Sequence, residues 1–142
     1  MTMKKIEIDT FLKFRFLSNP HFSPDGTKIA FTVSVPDRET NGYLSDLYLY
    51  DLGKKTVSRV TCAGDAKIWS WTAENTLIFT AARTAALKKE KENGTSFFYE
   101  ISPSGGEASC RASVPASVTG IRLLPDGRYL LTIRHDNYKD TR

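Results

Sequence analysis

The chain has 142 residues, 40% of them hydrophobic and 25% charged, the proportions of one ordinary soluble globular domain. Its net charge of +4 comes from 20 basic and 16 acidic residues that interleave, as in Lys88-Lys-Glu-Lys-Glu92, which argues against a basic stripe for nucleic acid. No apolar run approaches a membrane span, and Asp9, Lys13 and Arg15 interrupt the place where the apolar core of a signal peptide would lie, so a cytoplasmic protein is expected.

Taken in chain order, the first predicted element is a short helix over Asp9 to Leu17. Asp9 fits an N-cap, Phe11 and Phe14 or Phe14 and Leu17 fall three apart, and Pro20 disfavours helix beyond Ser18. It reads as a docking element or as a lead-in helix packed on its own chain. It is too short, and carries an acid too early, for a membrane anchor.

A repeat begins next. Phe22-Ser-Pro-Asp-Gly-Thr-Lys-Ile-Ala-Phe31 returns as Leu123-Leu-Pro-Asp-Gly-Arg-Tyr-Leu-Leu131, with a worn copy at Trp71-Thr-Ala-Glu-Asn-Thr-Leu-Ile-Phe79. The copies are spaced by roughly fifty residues, the size of one propeller blade. Pro sets φ for a type I turn, Asp bonds nearby backbone, and Gly accepts positive φ. Pro24, Asp25 and Gly26 thus predict a tight turn, as do Pro125, Asp126 and Gly127. Glu74 and Asn75 fill the same place in the middle copy, where Asn tolerates a left-handed conformation.

Each turn is followed by a β-rich run: Lys28 to Val35, Thr76 to Ala82 and Tyr129 to Arg134. Third runs follow at Asp46 to Leu52 and Ser96 to Ile101, and shorter, more polar fourth runs at Thr56 to Thr61 and Glu107 to Ala112. In the run from Asp46, Leu47 and Leu49 point one way while Tyr48, Tyr50 and Leu52 point the other. Two apolar faces fit a sheet packed between neighbours rather than one with a wet face. The predicted fold is all-β: an incomplete β-propeller of about two and a half four-stranded antiparallel blades with a short N-terminal helix. The boundaries are residues 1–17 for the helix, 18–62 for blade 1, 63–113 for blade 2 and 114–142 for a partial blade 3. Closed propellers usually need at least four blades, so the sequence reads as a fragment or partial gene product. Open blade edges invite pairing, so self-association through them is expected.

The connections at Pro36 to Gly42 and Arg83 to Gly94 are the longest and most polar, and so the expected places for a partner contact. Asn93-Gly94-Thr95 has the form of a glycosylation sequon but reads more simply as an Asn-Gly hairpin turn. Cys62 and Cys110 sit near the fourth runs of consecutive units, too far apart to bridge, and read as two reduced thiols. With His21 and His135 they lack the spacing of a zinc set. His21 reads as structural and His135-Asp136 as solvated surface. The sequence has no G-x-S-x-G elbow, no S-x-x-K and no phosphate loop. No catalytic residue, metal ligand or cofactor is therefore assigned to these residues.

The segment from Asp9 through the Ser-Pro-Asp-Gly turn to Phe31 resembles the opening of the prolyl oligopeptidase family, closest to its acylaminoacyl-peptidase and dipeptidyl-peptidase-like branch. Tyr43-Leu-Ser-Asp-Leu-Tyr-Leu-Tyr-Asp-Leu52 resembles the next strand of that branch. Ser96-Phe-Phe-Tyr-Glu-Ile-Ser-Pro-Ser-Gly-Gly-Glu-Ala108 resembles its Gly-Gly-Glu-Ala segment. The resemblance implies the first part of an N-terminal propeller that admits short peptides to a C-terminal α/β-hydrolase domain. That domain, which would carry the Ser-Asp-His triad, and the remaining blades are the implied partners. The Ser-Pro-Asp-Gly motif is shared with TolB-like propellers, so a non-enzymatic protein-binding propeller is the alternative.

Overall fold

The computed structural model describes residues 12–82 and 85–134. Three antiparallel sheets follow one another along the chain. The first contains β1 (Phe16–Phe22), β2 (Lys28–Asp37), β3 (Gly42–Asp51) and β4 (Thr56–Arg59), hydrogen-bonded in that order. The second contains β5 (Trp69–Trp71), β6 (Leu77–Thr80), β7 (Ser96–Ile101) and β8 (Ser109–Val114), also in sequence order. The third has two strands among the described residues, β9 (Ser117–Leu123) and β10 (Tyr129–Arg134). The architecture is an open, incomplete β-propeller of two full blades and one half-blade.

The blades pack through side chains with a period of two. In β6, Leu77 and Phe79 are fully buried while Ile78 and Thr80 are half-buried. Leu47 and Leu49 of β3 meet Trp69, Trp71, Leu77, Phe79, Phe97, Tyr99 and Ile101 of the second blade in one core. The opposite face of β3 carries half-buried Tyr48 and Tyr50, so both its faces are apolar. All four residues of β4 are exposed, as expected of an outer strand.

Residues predicted to be helical at the N-terminus behave differently. Leu12 and Lys13 form a 3₁₀ turn, Phe16 and Leu17 open β1, and residues 9–11 lie outside the described residues. Three-residue apolar spacing in so short a stretch is weak evidence for helix. Here Phe16 and Leu17 pair across to Ser34 and Val33 instead. Pro20 is tolerated because β1 is an edge strand, irregular between Ser18 and His21, with Asn19 at φ 56°.

The connection before β7 also departs from the expected loop. Its residues Ala85–Glu92 form α1. Ala, Leu, Lys and Glu are strong helix formers, and Leu87 packs against the core. Asn93-Gly94 closes this helix and is not a hairpin turn. Thr95 N donates to Glu90 O at 3.0 Å and Gly94 N to Lys91 O at 3.0 Å, with Gly94 at φ 95°. That pattern is a Schellman cap. By strand order, α1 and the β2–β3 hairpin lie at the same end of the blades, opposite the three repeated turns.

Candidate functional site: the groove along the inner strands

The repeated turns set the geometry. Gly26 N donates to Ser23 O at 2.9 Å, Asn75 N to Thr72 O at 3.2 Å and Gly127 N to Leu124 O at 3.0 Å. Their φ angles are 72°, 62° and 86°, so Asn75 takes the left-handed place of the two glycines. Pro24 and Pro125 precede Asp25 and Asp126 in two turns, and Glu74 stands at the aspartate's place in the third.

Asp25 organises its turn as an acceptor. Its Oδ1 receives Ser23 Oγ at 2.6 Å, Thr27 Oγ1 at 2.8 Å and Thr27 N at 3.0 Å. These bonds, the Ser23 hydroxyl first, hold its carboxyl at about 2, below the ordinary 3.8. Asp126 is lowered by Arg128, Asp37 by the Thr40 hydroxyl and Asp51 by the Lys54 amide. A carboxyl held low in the fold adds stability above its unfolded value, and that stability is lost as pH falls through the folded value. Urea midpoints are therefore expected to fall from about pH 4 toward pH 2, and the Asp25→Asn variant to lose less over that window. Equal slopes for the two proteins would contradict this.

The middle turn also ties two blades together, because Asn75 Oδ1 accepts from Asp25 N at 3.1 Å. Asn75→Ala leaves a Cβ in the left-handed region without the polar side chain that makes asparagine tolerant there, and removes that acceptor. It is expected to cost about 1 kcal/mol in urea unfolding, and Asn75→Gly only a few tenths. A larger loss in the glycine variant would show that backbone conformation is not the main term.

Aligned on these turns, three inner strands present matched pairs of residues: His21 and Phe22 on β1, Ser70 and Trp71 on β5, Arg122 and Leu123 on β9. They line one groove of 920 Å³, whose lining also includes Pro24 and Pro125 of the turns. The tryptophans join its floor to blade 1. Trp69 Nε1 donates to Thr32 Oγ1 at 2.9 Å, and Trp71 Nε1 donates to His21 O at 3.0 Å. The His21 ring lies edge-on to Trp69 at 5.7 Å, with Nε2 2.7 Å from Asn19 Oδ1.

The sequence pattern assigns His21 a structural place and does not by itself connect it with Ser70 and Arg122. The signal that joins them is a fixed offset from the Pro-Asp-Gly turn. Cys62 and Cys110 are both exposed and free, and His135-Asp136 lies outside the described residues. Among the described residues there is no cluster of three His, Cys, Asp or Glu side chains suited to a metal, and no helix long and apolar enough to cross a membrane. Ser70 Oγ donates to Trp71 O at 3.0 Å, so its proton is engaged with backbone.

The fold is that of a β-propeller. Two solved structures share it: the β-propeller domain of the Trilobed protease from Pyrococcus furiosus, described as having an open velcro topology, and the acylaminoacyl peptidase of Pyrococcus horikoshii. The first superposes with a TM-score of 0.59 at 15% identity, over 85% of this chain and 34% of that chain. The second superposes with a TM-score of 0.63 at 18% identity, over 87% of this chain and 18% of that chain. In sequence, the chain is 28% identical over 133 residues to the uncharacterized peptidase YuxL of Bacillus subtilis (strain 168), a match spanning 91% of this chain and 19% of that protein. No protein-family model matches the sequence. The relatives in sequence and in fold both fit the N-terminal propeller of the prolyl oligopeptidase family, the resemblance carried by the Ser-Pro-Asp-Gly and Gly-Gly-Glu-Ala segments.

Proposed function

We propose that the chain is the opening segment of the propeller of a cytoplasmic serine peptidase of this family, and that it gates entry of short peptides without itself cleaving them. The parent is proposed to be an exopeptidase of acylaminoacyl or dipeptidyl type. Its catalytic Ser, Asp and His would belong to a C-terminal α/β-hydrolase domain that, with further blades, is the partner of this segment. One coincidence carries the reading: the relative in sequence is a peptidase, and the neighbours in fold are the propeller domain of a protease and an acylaminoacyl peptidase, matched over 85% and 87% of this chain. The groove supports the gating role, since inner strands line the central channel when blades are arranged in a ring.

Two measurements test it. The purified 142-residue chain is expected to show no serine labelled by a fluorophosphonate probe, and labelling at any serine would overturn the reading. A chimaera in which residues of this chain replace the matching segment of YuxL is expected to hydrolyse short chromogenic peptides and to spare an unfolded polypeptide of protein length. Equal rates on both substrates would remove the gating role.

A further inference from the structure

We propose that the inner-strand groove binds the carboxylate of a short apolar peptide, with Arg122 as the group that recognises it. The proposal rests on the reading of the chain as a peptide-gating propeller and deepens it by naming which peptides the groove takes.

The same offset before each turn puts a polar residue on the lining of the groove in three consecutive blades: His21, Ser70 and Arg122. The next residue along each strand is large and apolar: Phe22, Trp71 and Leu123. Polar and apolar residues therefore alternate along the inner strands that line the groove.

His21 and Arg122 are the ionisable side chains lining the groove, and no carboxylate among the described residues lines it. Elsewhere Arg59, Arg111 and Arg128 each pair with an acid at 2.7, 3.1 and 2.6 Å. Arg122, exposed in the groove, makes no ion pair among the described residues. A guanidinium is a planar fork of donors that matches the two oxygens of a carboxylate. Apolar walls on either side lower the local dielectric and strengthen that attraction.

The remaining features select a peptide over a small anion. At 920 Å³ the groove is much larger than one carboxylate, and its volume falls within the range of about 300–1,000 Å³ usual for ligand sites. Phe22 is 64% exposed and Leu130 57% exposed, which leaves apolar surface for a side chain next to the carboxylate. Ser70 Oγ gives its proton to Trp71 O, so its lone pairs remain to accept a peptide N–H. β1, β5 and β9 each end a sheet, so their inner edges offer backbone groups to an extended main chain.

The two tryptophans of the chain, Trp69 and Trp71, both line the groove, so intrinsic fluorescence reads its occupancy directly. The full 142-residue chain is titrated with N-acetyl-Ala-Phe as the free acid, with the same peptide as its C-terminal amide, and with acetate. The acid is expected to give a saturable change, the amide to bind at least about tenfold more weakly, and acetate not to compete at matched concentration. Arg122→Gln is expected to bring the acid to the level of the amide with the far-ultraviolet circular dichroism unchanged. Arg111→Gln, outside the groove, is expected to leave the difference intact. Equal affinity for acid and amide overturns the proposal. So does an Arg122→Gln variant that keeps the preference, acetate that competes as well as the peptide, or no saturable binding. Each of these results leaves the fluorophosphonate and chimaera tests of the gating role untouched, so the two ideas fail separately.

Discussion

Replacing Phe79 with alanine is expected to destabilise the chain by about 4 kcal/mol, because a whole aromatic ring is lost from the centre of the core. Phe79 is fully buried at the middle of the second blade. Its ring stacks on Tyr99 at 6.2 Å, its register partners are Trp69 and Tyr99, and the same core includes Leu47 and Leu49 of the first blade. Truncation to Cβ removes transfer energy and leaves a cavity between two sheets whose backbones are already paired. Collapse into it is limited, which keeps the cost within the usual range of about 3–5 kcal/mol. A chain of this size has total stability of roughly 5–15 kcal/mol, so much of it would be lost. Urea unfolding followed by tryptophan emission checks this, because Trp69 sits directly across from Phe79. Phe79→Leu is expected to lose less than half as much, and Val57→Ala, at a position 60% exposed, to stay within about 0.5 kcal/mol. A Phe79→Ala loss below about 2 kcal/mol would show that the blades repack freely, contrary to a fixed inter-blade core.

The same residues explain why so much of the architecture could be read from the sequence. Pro-Asp-Gly determines a turn by covalent geometry and positive φ, so its copies mark blades before any packing is known. The alternation Leu47, Leu49 against Tyr48, Tyr50 records burial on both faces of one strand. Other features depend on contacts that no local pattern contains. Phe16 and Leu17 become strand because Ser34 and Val33 are there to pair with them. Asn93-Gly94 suits a hairpin and a helix cap equally, because both need a left-handed glycine; Ala85–Glu92 decides the matter. The groove required a second alignment of the repeat, counting back from the turn instead of forward. His21, Ser70 and Arg122 differ chemically, so resemblance alone does not join them; only their shared position does. The hydrogen bonds from Trp69 to Thr32 and from Trp71 to His21 span 37 and 50 residues, and such separations leave no trace in local spacing.

Those long-range bonds have a counterpart on the linker between the first two blades, where Asp46→Ala is expected to cost about 3 kcal/mol. Asp46 is buried at 6% exposure at the start of the core segment of β3. Its Oδ1 accepts from Thr61 Oγ1 at 2.8 Å and Gly64 N at 3.0 Å, and its Oδ2 from Arg59 Nη2 at 2.7 Å. Thr61 Oγ1 in turn accepts from Leu47 N at 3.0 Å. One carboxylate thus clasps the linker that leads from the first blade to the second. The bridge Ser45↔Asp65, with Ser45 N donating to Gly64 O at 3.0 Å, extends the clasp. Ser96 occupies the matching place in the second blade, receiving Val118 N at 2.9 Å and donating to Ala116 O at 2.7 Å. Each of the two full blades therefore fixes the entry of the next from the residue just before the first core position of its third strand. The guanidinium of Arg59 is half exposed, so the ion pair contributes little and Arg59→Ala is expected to cost under about 1 kcal/mol. The larger loss for Asp46→Ala comes from leaving the Gly64 N–H and the Thr61 hydroxyl buried without their acceptor. Asp46→Asn keeps one oxygen acceptor and is expected to fall between the two. Urea unfolding gives the three values, and amide hydrogen exchange at Gly64 locates the effect. Equal losses for Asp46→Ala and Arg59→Ala would mean that the salt bridge, and not the clasp on the linker, holds the first two blades at their spacing and with them the inner strands at the groove.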